Sequence, residues 1–275
     1  MTDSSIDRLL SIMQTLRDPE KGCNWDVQQT FRSLLPHTIE EAYEVADCIE
    51  RDDFDSLPAE LGDLLFQVVF YAEIGKEQGK FDFNEIVTLI ADKLERRHPH
   101  VFAQHENITA DEQTERWEAI KAQERADHFG HGSSALDDVP LNLPALVRAE
   151  KLQKRAARVG FDWPSVQGVK DKLHEELEEL EQACQQGDKA DIAEEFGDVL
   201  FSCVNLGRFL GLHSESVLRS ATQKFDGRFR FIERVLEAQG RLIEEQSLEA
   251  LELLWQEAKT HDKESGSEAF ETGKI

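Results

Sequence analysis

Four acids in one stretch, Glu176, Glu179, Glu195 and Asp198, have the types and spacing to do chemistry together. Each pair is three residues apart, which on a helix stacks two side chains on one face, a turn from each other. Gln185-Gln186-Gly187-Asp188 between the pairs reads as a break. The numbering is symmetric about Gly187, so a helical hairpin turning there sets Glu179 against Glu195 and Glu176 against Asp198. Four ionised carboxylates that close repel one another, and burial sharpens the repulsion. They must share protons or hold cations. The apolar Val199, Leu200, Phe201, Cys203, Val204 and Leu206 make the second helix mostly buried. All-oxygen ligation of this kind suits magnesium, manganese or calcium.

The pattern occurs twice. Glu41, Glu44, Glu60 and Asp63 repeat both spacings at an offset of 135 residues, each quartet is preceded by another acid (Glu40, Glu175), and Glu60-Leu-Gly-Asp63-Leu-Leu-Phe matches Glu195-Phe-Gly-Asp198-Val-Leu-Phe. Chance acids do not repeat with their neighbours, so the chain is an internal duplication. A capping box with Thr38 is the bland alternative for Glu41; it does not reach Glu176, which lies deeper in its helix.

At 275 residues the chain holds two domains of modest size. A formal net charge of −25 excludes binding to nucleic-acid polymers, because no basic surplus displaces counterions. A small polyphosphate bridged to the acids by metal remains open. Cys23, Cys48, Cys184 and Cys203 form no close pairs, and the last three sit in helical patterns, as reduced core thiols of a cytoplasmic protein would. No signal peptide or membrane span is expected.

The elements that position the acids are all helical. Apolar periodicity predicts helices over 5–17, 38–51, 58–79, 83–97 and 111–127, then 146–158, 165–186, 189–211, 214–238 and 247–260. Cys23-Asn24-Trp25-Asp26 begins a loop. The expected organisation is an all-α chain: a helical domain 1–128, a linker 129–145, a second domain 146–262 and a disordered tail 263–275.

The duplication carries more than acids. Lys93 and Arg97 match Lys224 and Arg228, Trp117 and Lys121 match Trp255 and Lys259, and Trp25 matches Trp163. Metals held by acids bind phosphate oxygens, lysine and arginine take the remaining charge, and a tryptophan covers a base or ribose. These parts suit hydrolysis of a nucleoside polyphosphate. No Gly-rich phosphate loop of the Walker kind occurs, and no Ser, Cys or Lys nucleophile stands out, so direct attack by metal-activated water with a spare Glu as base is the economical route.

The double Glu-Glu-x-x-Glu … Glu-x-x-Asp motif resembles the MazG family of nucleoside triphosphate pyrophosphohydrolases. So do Lys93-Leu-Glu-Arg-Arg-His-Pro-His-Val-Phe102, Ser134-Ala-Leu-Asp-Asp138 and Val159-Gly-Phe-Asp-Trp163. The resemblance covers about residues 5 to 260 and is to the two-domain bacterial form. It implies magnesium-dependent cleavage between the α and β phosphates, a homodimer with four-helix-bundle sites formed on dimerisation, and a second half that carries most of the activity. It implies metal ligation by Glu176, Glu179, Glu195 and Asp198, and nucleotide contacts by Lys172, Glu175, Lys224, Arg228, Trp255 and Lys259. A lysine the family can place ahead of the second acidic pair aligns here with Asp191, while Lys189 stands two residues earlier.

Both quartets are complete, so the acids do not say which half works. Lys172 stands three before Glu175, whereas His37 holds the matching position. The stripe after the second pair continues as Ser202 and Asn205 in one half and as Gln67 and Phe70 in the other. The second half is therefore expected to be the main catalyst, with Glu175, Glu176 and Glu195 as its catalytic acids. Bland readings stand beside these: surface salt bridging for Lys224 and Arg228, core packing for Trp255, structural roles for Trp25 and Trp163, capping for His98 and His100. A carboxylate-bridged di-iron protein would need Glu-x-x-His on two helices, which only Glu95–His98 supplies, outside the quartets. A non-catalytic acidic helical interaction protein would release no pyrophosphate.

Overall fold

The structure, a computed structural model, describes residues 4–103, 108–109, 112–113, 116–117, 119–121, 124 and 134–272, with side chains as far as 262. Every regular element among them is helical, and none is long and apolar enough to cross a membrane. The chain divides into two compact units, Met1–His131 and Gly132–Ile275. Most of the helix expected over 111–127 lies outside the described residues, as does the start of the expected linker. The described part of that linker packs on the second unit: Val139 is buried and the Asp137 carbonyl accepts from Arg155 Nη1 at 3.5 Å.

The first unit contains α1 (Ser5–Leu16), α2 (Asn24–Gln28), α3 (Phe31–Glu50), α4 (Leu57–Glu77), α5 (Phe83–Arg97) and α6 (Pro99–Phe102). Two expectations are corrected here. Residues 24–28 form a short helix instead of a loop, and α3 starts seven residues before Thr38. The true N-cap is Thr30, whose hydroxyl accepts from Ser33 N while Ser33 Oγ accepts from Thr30 N. Pro36 misleads because proline usually stops a helix. Here it falls in the second turn and forfeits one bond, to the carbonyl of the exposed Arg32. Thr38 is thus interior: its hydroxyl bonds to the Leu34 carbonyl and lies 2.8 Å from Tyr71 Oη on α4. The capping alternative for Glu41 disappears with it.

Met13, Leu34, Val69, Phe70 and Ile74 form the core of this unit, where α1, α3 and α4 meet. Arg17, at the end of α1, closes it. Its guanidinium makes a two-pronged ion pair with Glu77 at 2.6 Å, donates to the carbonyls of Asp26 and Gln29, and lies 5.4 Å from the Phe70 ring centre. One side chain therefore fastens α1, α2 and α4.

The second unit contains α7 (Ala145–Arg158), α8 (Val166–Gln186), α9 (Lys189–Phe209), α10 (Ser214–Ala238), a 3-10 turn (Ile243–Glu245) and α11 (Leu248–Thr272). The last helix continues to Thr272, into the stretch expected to be disordered, which holds no proline and carries Lys263, Glu264, Glu268 and Ala269, all good helix formers. Helices α8 and α9 form the closest pair of the unit, and α7 packs across α9. The hairpin turns at Gly187, whose φ of 80° is the left-handed conformation that glycine adopts without strain, and Asp188 caps α9 by accepting from Ala190 N at 2.8 Å. The matching turn of the first unit puts Asp52 at φ 54°, and aspartate is among the few other residues that tolerate it.

Two further expectations fail. Only Cys48 is a core thiol; Cys184 and Cys203 are exposed. Helix α9 buries Val199, Ser202 and Val204, yet Phe196, Leu200 and Phe201 remain exposed. Its apolar residues encircle more of the helix than α7 and α8 can cover. Because Arg17 is nearly buried and bonded at every prong, replacing it strands two carbonyls and the Glu77 carboxylate. Arg17→Ala is expected to destabilise the first unit by about 3 kcal/mol, read from the midpoint of its urea transition, while the second unit's transition stays put.

Candidate metal and nucleotide site

Each hairpin brings three acids together. Glu41, Glu44 and Glu60 form one cluster and Glu176, Glu179 and Glu195 the other, with one carboxylate oxygen from each lying within 4.8 Å of the rest. The fourth acid of each quartet, Asp63 or Asp198, is outside this 4.8 Å group but close enough to be felt: each raises the proton affinity of an acid in its cluster. Desolvation is the largest cause pushing the Glu41 carboxyl above its ordinary range, followed by Glu44, Asp63 and Glu40. Desolvation likewise leads for Glu195, followed by the charges of Glu179, Asp198, Glu176 and Glu194. Neither cluster contains a histidine or a cysteine. Crowded, hard oxygen donors, among which Glu41 and Glu195 hold their negative charge reluctantly, fit a divalent cation such as magnesium or manganese.

The hairpin geometry follows from sequence. Glu176 and Glu179 lie one turn apart on α8, and the short Gly187-Asp188 connection brings α9 back antiparallel with Glu195 at their level. Glu176 is 5 % exposed, a position an unpaired carboxylate would not hold. Its partner is Lys172, whose Nζ lies 2.8 Å from Glu176 and 2.7 Å from Glu175. Those two carboxylates raise the lysine's proton affinity, so Lys172 stays cationic. In the first unit His37 takes its place, 3.6 Å from Glu40 and edge-on to Trp25 at 6.1 Å. Trp25 also meets the fully buried Phe70 at 6.4 Å. Aromatic rings thus fill the first unit beyond its acids, where the second unit has Ser202 and Asn205.

The other nucleotide candidates form a separate group. Arg228 on α10 bonds to Asp262 at 2.7 Å and lies 5.6 Å from the Trp255 ring centre, and Trp255 packs on Phe225 at 5.3 Å. Lys224 and Lys189 are exposed, Lys189 being the first residue of α9, and Lys259 is half-buried on α11. Within this chain no hydrogen bond or ion pair joins these residues to the acidic cluster among the described residues. The first unit keeps a related but different arrangement, with Trp117 Nε1 donating to the Arg97 carbonyl and Arg97 paired with Glu124. His98 Nδ1 is tied to the Leu94 carbonyl at 2.7 Å, away from both clusters.

The sequence did not single out Arg208. Its guanidinium grips both oxygens of Asp162 and also donates to Asn205 Oδ1, from Nε at 3.0 Å and Nη2 at 2.8 Å. The only available signal was its position three residues after Asn205, on the same helical face.

Each unit is all-α and sets a carboxylate cluster between the helices of a hairpin, a donor set suited to a divalent cation. Residues 29–102 and 165–230 match the MazG nucleotide pyrophosphohydrolase domain, once in each unit. The chain is 53% identical over 261 residues to the nucleoside triphosphate pyrophosphohydrolase of Escherichia coli K12, covering 94% of this chain and 98% of that protein. It is 44% identical over 257 residues to the nucleoside triphosphate pyrophosphohydrolase/pyrophosphatase MazG of Thermotoga maritima, covering 94% and 96%. A Mycobacterium tuberculosis nucleoside triphosphate pyrophosphohydrolase is 38% identical over 157 residues, 56% of this chain and 46% of its own length. The chain belongs to the MazG family.

A raised carboxyl pKa means that the folded chain binds protons more readily than the unfolded one. In metal-free protein Glu195 therefore adds stability at acid pH and loses it as pH rises through its raised folded value. Metal-free Glu195→Gln should melt higher than the parent at pH 7, and the difference should vanish well below pH 4. Millimolar magnesium should raise the melting temperature of the parent and leave the variant nearly unchanged. A parent that melts higher than the variant without metal at pH 7 would remove the repulsion argument.

Proposed function

We propose that the chain hydrolyses nucleoside triphosphates to the nucleoside monophosphate and pyrophosphate with magnesium, and that the second unit does most of the work. The observation that carries this reading is the Glu176, Glu179 and Glu195 cluster beside an ion-paired Lys172, in a chain of this family. The names of its E. coli and T. maritima relatives support the substrate class.

Glu176, Glu179, Glu195 and Asp198 would hold the metal. Bound magnesium supplies the positive charge that screens the triphosphate and acidifies water. Lys172 then exchanges its carboxylate partners for a phosphate oxygen, which its three rotatable N–H donors allow. Glu175, released from Lys172 and exposed, takes the proton as water attacks and the bond between the α phosphorus and the bridging oxygen breaks. Lys224, Arg228, Lys189 and Lys259 bind the remaining phosphate charge, and Trp255 stacks on the nucleoside. The first unit, with His37 for Lys172 and Phe70 for Asn205, holds metal or nucleotide weakly, or serves regulation and dimerisation.

Assembly completes the site. Phe196, Leu200 and Phe201 on α9, with Val217, Leu218 and Phe225 on α10, are large apolar side chains left uncovered by their own chain. Pairing the hairpin with its copy about a two-fold axis covers them and makes a four-helix bundle. It also brings the partner's α10 cations toward the acids. The two domains are 1–128 and 146–262, joined through 129–145.

Glu195→Ala should lower turnover by several orders of magnitude, while Glu60→Ala, its equal in fold by circular dichroism, should change it less than about tenfold. Phosphorus NMR of the parent reaction should show monophosphate and pyrophosphate. A diphosphate product would sink the reaction class, and a dead Glu60→Ala beside a live Glu195→Ala would reverse the halves. Light scattering that finds a stable monomer at working concentration would refute the shared bundle.

A further inference from the structure

Resting on that reading of the second unit, we infer that Asn205 is its base-reading residue, a fixed hydrogen-bond donor aimed at a keto oxygen of the base, with Arg208 and Asp162 as the positioning pair behind it.

The argument begins with what arginine can do. A guanidinium has only donors, so the Asn205 side-chain atom that receives both Arg208 Nε and Nη2 is its oxygen. That settles the amide orientation: Oδ1 faces back along α9 and the NH2 group faces the other way. Among the described residues no hydrogen bond uses the amide nitrogen, so its two N–H groups are left for a ligand. Arg208 is not free to let go. Its side chain is 12% exposed, and Asp162 holds it through Nη1 at 3.0 Å and a shorter bond from Nη2. Asp162 is held in turn, accepting from Trp163 N at 2.9 Å.

Position says what the amide faces. Glu195, Asp198, Ser202 and Asn205 follow one stripe of α9. Across the hairpin, Lys172 stands level with Ser202, and the buried Val169 with Asn205. Asn205 therefore lies about 10 Å along the helix from Asp198, one turn past the phosphate-binding lysine. A triphosphate seated on the acids and Lys172 brings its nucleoside to this level. The first unit supplies the contrast: Phe70 occupies the matching place, buried under Trp25, and Glu73 the place of Arg208. The unit without the lysine also lacks the oriented amide.

An amide whose oxygen is held by Arg208 presents N–H donors, which reward a base that offers oxygen and penalise one that offers an amino group at the same position. Guanine and uracil present the keto oxygen where adenine and cytosine present the amine.

The test is a panel of ATP, GTP, CTP and UTP, with kcat and KM measured separately for the parent, Asn205→Asp, Asn205→Ala and Arg208→Gln. The parent should favour GTP over ATP and UTP over CTP in kcat/KM. Asn205→Asp, which replaces donors by acceptors, should lower both ratios at least about tenfold, mainly through KM. Asn205→Ala should bring both toward one. Arg208→Gln should do the same with kcat for the best substrate little changed, because the amide is freed to flip. Parent ratios near one, or ratios that survive Asn205→Ala, overturn the inference while leaving the hydrolysis reading intact. A parent that turns over no nucleotide overturns the hydrolysis reading itself. Should Asn205→Asp fail to fold, the alanine and Arg208 variants decide.

Discussion

Repulsion among like charges is the constraint on which the rest of this structure depends. Three carboxylates within 4.8 Å of one another oppose the very hairpin that assembles them. The hairpin must therefore be held by something other than the acids. In the first unit that something is apolar: Met13, Leu34, Val69, Phe70 and Ile74, clamped at the edge by Arg17. In the second, Val169, Ala183, Val199, Val204, Ile232 and Leu236 are buried as well, and a polar network is added to them. Glu150 is buried between Lys154 and His213, Gln153 donates to the Phe201 carbonyl, Arg155 is buried, and Arg208 ties α9 to the Asp162 loop. Two copies of one architecture share apolar packing, and the second buries more polar groups beside it.

The difference has a physical logic. An apolar core tolerates any local arrangement that excludes water, and so it supports a scaffold. A satisfied polar network specifies orientation, because each donor must meet its acceptor. A unit that must hold a lysine, an asparagine amide and several carboxylates at set positions gains from such a network. A unit with His37 at the lysine's place and Phe70 at the amide's place gains more from packing.

Much of this was legible in the sequence. The hairpins, the symmetry about Gly187 and the three-residue spacings are local, and helical periodicity carries them directly. The reading failed where tertiary contacts outweigh local signals. Pro36 suggested a boundary that the Thr30 cap and the Thr38–Tyr71 contact override. The Cys23–Asp26 stretch looked like a loop, because the donor that holds the Asp26 and Gln29 carbonyls comes from Arg17. The apolar run after Asp198 suggested burial, but one chain cannot cover all sides of α9. Of the candidate site, Glu176, Glu179, Glu195 and Lys172 come together, while Asp198, expected to face Glu176, stays outside the closest group. Lys224, Arg228, Trp255 and Lys259 do not join them within the chain, since sequence spacing says nothing of which way a helix faces.

The two turns differ in a way that bears on how such a chain can change. Both connect acidic helices with the same sixteen residues from Glu44 to Glu60 and from Glu179 to Glu195. In the first unit six residues, Arg51 to Ser56, lie between helices; in the second only Gly187 and Asp188 do. The longer turn has slack to take up an added or missing residue. The two-residue turn has almost none, and a residue inserted there is passed into α9 as a rotation of about 100°. That would swing Glu195 and Asp198 off the facing helix together, so the length of this turn is a gauge for the whole constellation.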